Sequence, residues 1–377
     1  MKKKIAFVLE SLHLGGAEKS LVTLLQNLDY SQYEIVLLTI VEGGFFKEQV
    51  PKEAQWQIIS ARNPTWFQRF RYFLEKKINK KKHASQILWP IISDNYKEIS
   101  DFYDVAIAYG QGFPTYFVAE KMKAKKKFAW INVDYKKAGY NSNFDLPFYK
   151  KYDALIAVSE EVKTTIEHVF NYSALQIRVI KDITDEIAVK QQAEKPTRIQ
   201  FLKENINILT VCRLAPEKGL SMAMETCKLL KEKGYFVKWY FIGEGSERSQ
   251  LELLIKKYNL QGTAVLLGAK INPYPYMKAC DIYVQTSLFE GLGLTVIEAA
   301  ILQKPIVCTN FPTAYNILKD NETGLIAEMN PNAIAEQIEK LIKDESLRKK
   351  LISNLEQQEN KDKEQSLLQF ENLINMP

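Results

Sequence analysis

The clearest alternation of apolar and polar positions lies in the second half of the chain. "INILTV" (206–211) is a short apolar run, followed by a loop and the amphipathic stretch "GLSMAMETCKLLKEKG". "FVKWYFIG", "AVLLG", "DIYVQT" and "PIVCT" repeat the apolar run, and "GSERSQLELLIKKYNL" repeats the helical period. Short strand-like runs alternating with longer helical periods predict a parallel sheet with crossover helices, and the Gly/Pro-rich joints suit strand-to-helix loops. The first half follows the same plan less regularly. Its predicted strands are "KIAFVLE", "YEIVLLTI", "DVAIAYG", "KFAWINV", "DALIAVS" and "IRVIK", with helices over "AEKSLVTLLQNL" and "EEVKTTIEHVF". Two doubly wound α/β domains follow, residues 1–185 and 186–360. The polar stretch 183–205 joins them, and the charged helical tail 361–377 is expected to return to the first domain.

Length agrees with two domains, since 377 residues exceed one ordinary core. The apolar run at the N-terminus, Ile5 to Leu9, is too short for a signal peptide and reads as a first strand. No segment approaches the roughly 20 apolar residues of a membrane span, so the expectation is a cytoplasmic protein. The four cysteines show no CxxC or Cys/His ligand spacing and read as reduced, packed thiols rather than a metal site or disulfides. Charge is uneven. Residues 1–200 hold 30 Lys and Arg against 23 Asp and Glu, which leaves 21 against 22 for the remainder. A surplus confined to one half suggests that this half faces something anionic.

In open parallel sheets ligands bind beyond the carboxyl ends of the strands, which directs attention to four loops. In "LHLGGAEKS", Gly15 and Gly16 allow close backbone approach before a helix whose first N–H groups suit an anion; the alternative is a plain glycine turn. In "VCRLAPEKGL", Arg213 and Lys218 place two cations between strand end and helix start; the alternative is a solvated pair with Glu217. "LLGAKINPYPYMKACD" offers the backbone of Ala269 and Lys270 to the polar edge of a base. "FEGLGLTVIEAA" sets Glu290 and Glu298 at either end of an otherwise apolar, glycine-containing segment. Carboxylates in such surroundings are costly unless they accept hydrogen bonds, and sugar or ribose hydroxyls would donate them. The alternative is one capping and one surface glutamate. Gly243, in "GEGSER", opens no complete dinucleotide fingerprint but counts among the candidate donor-binding positions.

"LGGAEKSL", "RLAPEKGL", "GEG" and "EGLGLTVIEAA", in this order, resemble glycosyltransferase family 4, retaining enzymes of the GT-B fold, in which two Rossmann-like domains face an interdomain cleft. Glu290 and Glu298 match the spacing of the family's E-x7-E element. The resemblance implies a nucleotide diphosphate sugar as donor, with UDP the commonest nucleotide and GDP next, and cell-envelope glycans as products. It assigns Glu298 to the ribose and Glu290 to the donor sugar. The backbone of Gly291, Leu292, Gly293 and Leu294 would hold sugar and phosphate. Arg213 and Lys218 would face the departing diphosphate, making three catalytic residues with Glu290. Gly15 and Gly16 would close over the phosphates. Fixed cations suit a reaction without metal or other cofactor, and no Asp-x-Asp occurs in the chain.

One departure stands out. Relatives often carry His after "W-I" in the first domain, where "KFAWINVDY" has Asn132, with Asp134 retained on the acceptor side. Asn cannot take up a proton near neutral pH. A non-catalytic nucleotide-sugar-binding partner of another transferase and a sugar-nucleotide epimerase therefore stay open as alternatives. Residues 62–82 interleave Arg and Lys with aromatics, and "KMKAKKK" (121–127) adds five lysines. Such segments lie on anionic membrane surfaces; the alternative is a solvated basic helix over the domain surface. No nucleic-acid-binding module is recognisable. The expected acceptor is a glycan or a polyprenyl-diphosphate-linked saccharide reached at the inner membrane face.

Overall fold

The computed structural model describes residues 2–13, 15–79, 82–171, 175–197, 201, 204–358 and 362–376. The chain divides into two compact units, one formed by residues 1–183 and 362–377, the other by 184–361.

The first unit holds a seven-stranded parallel sheet. In chain order its strands are β1 (Lys3–Leu9), β2 (Tyr33–Thr39), β3 (Gln55–Ile58), β4 (Phe102–Ala108), β5 (Lys123–Ile131), β6 (Ala154–Ala157) and β7 (Ile177–Val179). They lie side by side as β3-β2-β1-β4-β5-β6-β7. The carboxyl-terminal halves of the inner strands are apolar runs, as suits a parallel sheet covered on both faces; Ile5, Ala6, Phe7 and Val8 have no exposed surface. Three helices escaped the sequence pattern: Ala84–Ile92, Phe113–Lys121 and Ser142–Tyr149. Each contains a proline, and the second is buried from Phe113 to Ala119, so it has no polar face to mark it.

Helix Asp362–Ile374 completes this unit. Its Phe370 is fully buried, with its ring centroid 6.0 Å from that of Phe7 and 6.1 Å from that of Trp130. Lys3 Nζ donates to the carbonyl of Ile374 at 2.8 Å.

In the second unit six parallel strands, β8 (Ile206–Val211), β9 (Val237–Ile242), β10 (Ala264–Gly268), β11 (Ile282–Gln285), β12 (Ile306–Thr309) and β13 (Leu325–Ala327), run in the order β10-β9-β8-β11-β12-β13. The order turns at β8, which pairs with β9 on one side and β11 on the other. That is the topological switch point at which open α/β sheets hold their ligands.

Two segments depart from the sequence reading. The stretch 183–205 is not wholly a polar connector: Glu186–Ala193 is a helix, and Val189 and Ala193, four apart and so on one face, enter the core of the second unit. Arg198, Ile199, Gln200, Leu202 and Lys203 of that stretch lie outside the described residues, as do the domain-boundary positions Asn360 and Lys361. The lysine run 121–127 is mostly the start of β5 rather than a free basic patch. Lys123, Lys125 and Lys126 meet Glu98, Asp104 and Asp153, and Lys127 donates to the carbonyl of Val118.

The four cysteines are free thiols, all buried. Burial pushes Cys212, Cys227 and Cys280 up to about 12.

Candidate active site

The loops leaving β8 and β11 are stitched together. Thr286 Oγ1 donates to the carbonyl of Lys218 at 2.9 Å, and the Leu288 amide donates to the carbonyl of Glu217 at 2.8 Å. This brings Lys218 and Glu290, 72 positions apart, into a two-pronged ion pair with both Nζ–Oε distances at 2.7 Å. Burial alone would depress the Lys218 ammonium. The charge of Glu290 and its hydrogen bonds outweigh that and hold the group above its ordinary value. A largely buried pair of this kind persists where further hydrogen bonds satisfy the remaining lone pairs.

Those bonds come from β11. Ser287 Oγ donates to Glu290 Oε1 at 2.6 Å, and Gln285 Nε2 reaches Ser287 Oγ at 2.8 Å and Glu290 Oε1 at 3.3 Å. Tyr283 OH donates to Gln285 Oε1 at 2.8 Å. Tyr283, Gln285 and Ser287 alternate along one strand and its extension, so they point to the same side. The sequence reading missed this polar ladder. Its signal was present in "DIYVQTS", where polar residues end a run otherwise suited to a core.

Arg213 is placed differently. Its guanidinium is largely exposed and pairs with Glu217 at 2.5 Å, the solvated pair that stood as the alternative. Arg213 and Lys218 therefore share a loop without sharing a partner.

Gly291, Leu292 and Gly293 are buried, and helix Leu294–Ile301 begins directly behind them. Gly293 has φ +84°, and a Cβ there would lie 2.7 Å from Ile317 Cδ1. Only glycine fits that turn without displacing Ile317. Glu298 lies one turn into this helix with 1% of its surface exposed, and its Oε1 accepts from Tyr274 OH at 3.3 Å. The helix N-terminus favours negative charge nearby.

Gly243 follows β9 with φ +148°, and a Cβ there would come within 1.8 Å of the carbonyl of Cys212. Loop packing accounts for this glycine. Ala269 and Lys270 are half-buried in the loop after the edge strand β10.

The remaining positions belong to the first unit. Gly15 caps helix Gly16–Gln26 in extended conformation, and Leu14 before it lies outside the described residues. Asn132 follows β5; its amide accepts no described donor and finds no described acceptor, although both its terminal atoms are buried. Its backbone N–H donates to Gln111 Oε1 at 3.0 Å. Asp134 accepts from the Lys137 amide at 3.0 Å. Among the described residues, no cluster of three or more His, Cys, Asp or Glu is arranged to hold a metal ion, and no helix is long and apolar enough to cross a membrane.

Two Rossmann-like units, each built on a parallel sheet, match the GT-B class of fold. TarM of Staphylococcus aureus, solved with fondaparinux, alpha-GlcNAc-glycerol and UDP, shares it: TM-score 0.72 over 99% of this chain and 100% of that one, at 16% identity. The profile of the family of glycosyl transferases group 1 matches residues 191–358, which lie in the second unit. Uncharacterized glycosyltransferase MJ1059 of Methanocaldococcus jannaschii is 28% identical over 263 residues, covering 60% of this chain and 64% of the relative. The N-acetylgalactosamine-N,N'-diacetylbacillosaminyl-diphospho-undecaprenol 4-alpha-N-acetylgalactosaminyltransferase of Campylobacter jejuni is 29% identical over 203 residues, 53% of this chain and 54% of that one. The chain thus spans between half and two thirds of the length of these curated relatives.

Proposed function

We propose that this protein is a retaining glycosyltransferase that moves a sugar from a nucleotide diphosphate sugar, UDP-sugar by preference, to a glycan or lipid-linked saccharide acceptor in polysaccharide biosynthesis. The observation that carries the reading is the Lys218–Glu290 pair at the switch point of the second unit, one loop away from the buried Glu298. In the reaction the bond from the anomeric carbon to the diphosphate oxygen breaks. The acceptor oxygen bonds to that carbon on the same face, and the acceptor proton leaves with the diphosphate. Negative charge grows on the leaving oxygen while positive charge grows on the sugar ring.

Lys218, held in place by Glu290, supplies fixed positive charge for the diphosphate, and Arg213 can swing from Glu217 to add a forked contact. Glu290 accepts hydroxyls of the donor sugar, Glu298 those of the ribose, and the backbone from Gly291 to Leu294 lies against sugar and phosphate. With cations in these places the reaction needs no metal or other cofactor. The nucleotide assignment draws support from TarM, solved with UDP. The acceptor class draws support from the Campylobacter relative, named for a diphospho-undecaprenol-linked substrate.

Calorimetric titration of UDP, GDP and ADP in the presence of a chelator tests the reading. UDP is expected to bind, and Glu298→Ala to weaken it at least 100-fold, with Glu298→Gln intermediate and both variants folded. Absence of binding by every nucleotide, or binding that needs a divalent ion, would sink it.

A further inference from the structure

Helix Trp66–Ile78 of the first unit is built inside out. A helix on a globular surface turns its apolar stripe to the core and its polar face to water. Here Gln68, Tyr72, Glu75 and Asn79, which share one side at 100° per residue, are the half-buried positions, and nothing in the helix itself is fully buried. Gln68 anchors that side by donating to the carbonyl of Ile91 at 2.8 Å and to Asn95 Oδ1 at 3.2 Å.

The opposite side carries Trp66, Phe67, Phe70, Phe73, Leu74 and Ile78. Trp66 is 78% exposed, Ile78 77% and Phe73 63%. Folding does not leave this face loose: Thr65 and Gln68 form a complete capping box at the helix start. A contiguous exposed apolar stripe on an ordered helix marks an interaction surface.

Charge identifies the partner. Arg69 and Lys76 border the stripe on one side, Arg71 on the other, and Lys77 lies within it. None of the four has an acidic partner among the described residues. The one acid of the helix, Glu75, faces inwards and accepts from Asn79. An apolar stripe edged by long cations matches the interface of an anionic bilayer, where rings settle at the headgroup level and Arg and Lys extend to the phosphates. A second copy fits poorly, because two-fold pairing would set these cations against one another.

We infer that helix Trp66–Ile78 docks this protein, lying flat, on an anionic phospholipid surface. Each basic residue near such a surface adds roughly fivefold to binding.

Co-sedimentation of the full chain with vesicles of equal parts phosphatidylglycerol and phosphatidylcholine, against phosphatidylcholine alone, provides the test. Binding is expected to be at least tenfold stronger to the anionic vesicles, to weaken with salt, and to fall at least tenfold in the Phe70→Glu/Phe73→Glu variant. Both side chains are exposed, so the variant should melt with the wild type. Trp66 emission should shift to the blue on binding, a change missing in Trp66→Phe. Equal binding by wild type and variant, or none at low salt, would overturn the inference. So would a lipid-free dimer that the same variant dissociates, since a second copy would then own the face.

Discussion

Both units hold largely buried carboxylates, but they surround them with different partners. In the second unit Glu290 meets an ammonium at 2.7 Å. In the first, Asp145 accepts from the hydroxyls of Tyr116 at 2.7 Å and of Tyr135, and Asp182 accepts from Ser20 at 2.6 Å, with Tyr109 OH against the same serine. A cation neutralises a buried acid while leaving it charged. Hydroxyls satisfy its lone pairs but leave the cost of the charge, so burial raises the Asp145 carboxyl and pushes Asp182 up to about 6. One topology thus surrounds its acids in two ways, with an ammonium at Glu290 and with hydroxyls at Asp145 and Asp182.

The largest test of that contrast is Lys218→Met. Leaving Glu290 buried without its cation should cost about 3–5 kcal/mol of stability and reduce glycosyl transfer by about 1000-fold. Adding Glu290→Gln should restore stability but not transfer. Recovery of activity in the double variant would show that the pair serves folding alone.

The Asp182 prediction comes next in size. Its carboxyl titrates near 6 when folded and near 3.9 when unfolded. Between those values the folded state binds the extra proton. Stability from this group is therefore full below about pH 4, falls as pH rises towards 6, and stays level above, a total on the order of 2–3 kcal/mol. Urea melts at pH 4.5, 5.5 and 7 should show this slope in the wild type and lose it in Asp182→Asn. Parallel curves would mean that the acid is ionised throughout.

The smallest effect belongs to Ser287→Ala. It deletes one hydrogen bond to Glu290 and keeps the ion pair, so turnover should fall about tenfold while KM changes little. A rise in KM with unchanged turnover would assign Ser287 to donor binding instead.

The contrast between the units was only partly legible in the sequence. The strand Ile206–Val211 could be read residue for residue, because a parallel strand covered on both faces is a mostly apolar run. The edge strand Gln55–Ile58 escaped notice, since "QWQI" is half polar and mostly exposed, and Leu325–Ala327 is too short to carry a period. The glutamate spacing and the glycines between were visible within a dozen residues. That Lys218 rather than Arg213 meets Glu290 was not, because sheet order alone brings those loops together. Likewise the sequence of 62–82 showed basic and aromatic residues but not which side faced outwards, and Lys80 and Lys81 within it lie outside the described residues.

The return of helix Asp362–Ile374 to the first sheet sets an order of completion during synthesis. The second unit has all its strands once residue 327 has been made. The first unit begins earlier yet closes its core only when Phe370 can reach Phe7 and Trp130. A stop codon shortly before Phe370 would therefore spare the nearby unit and cripple the one encoded first.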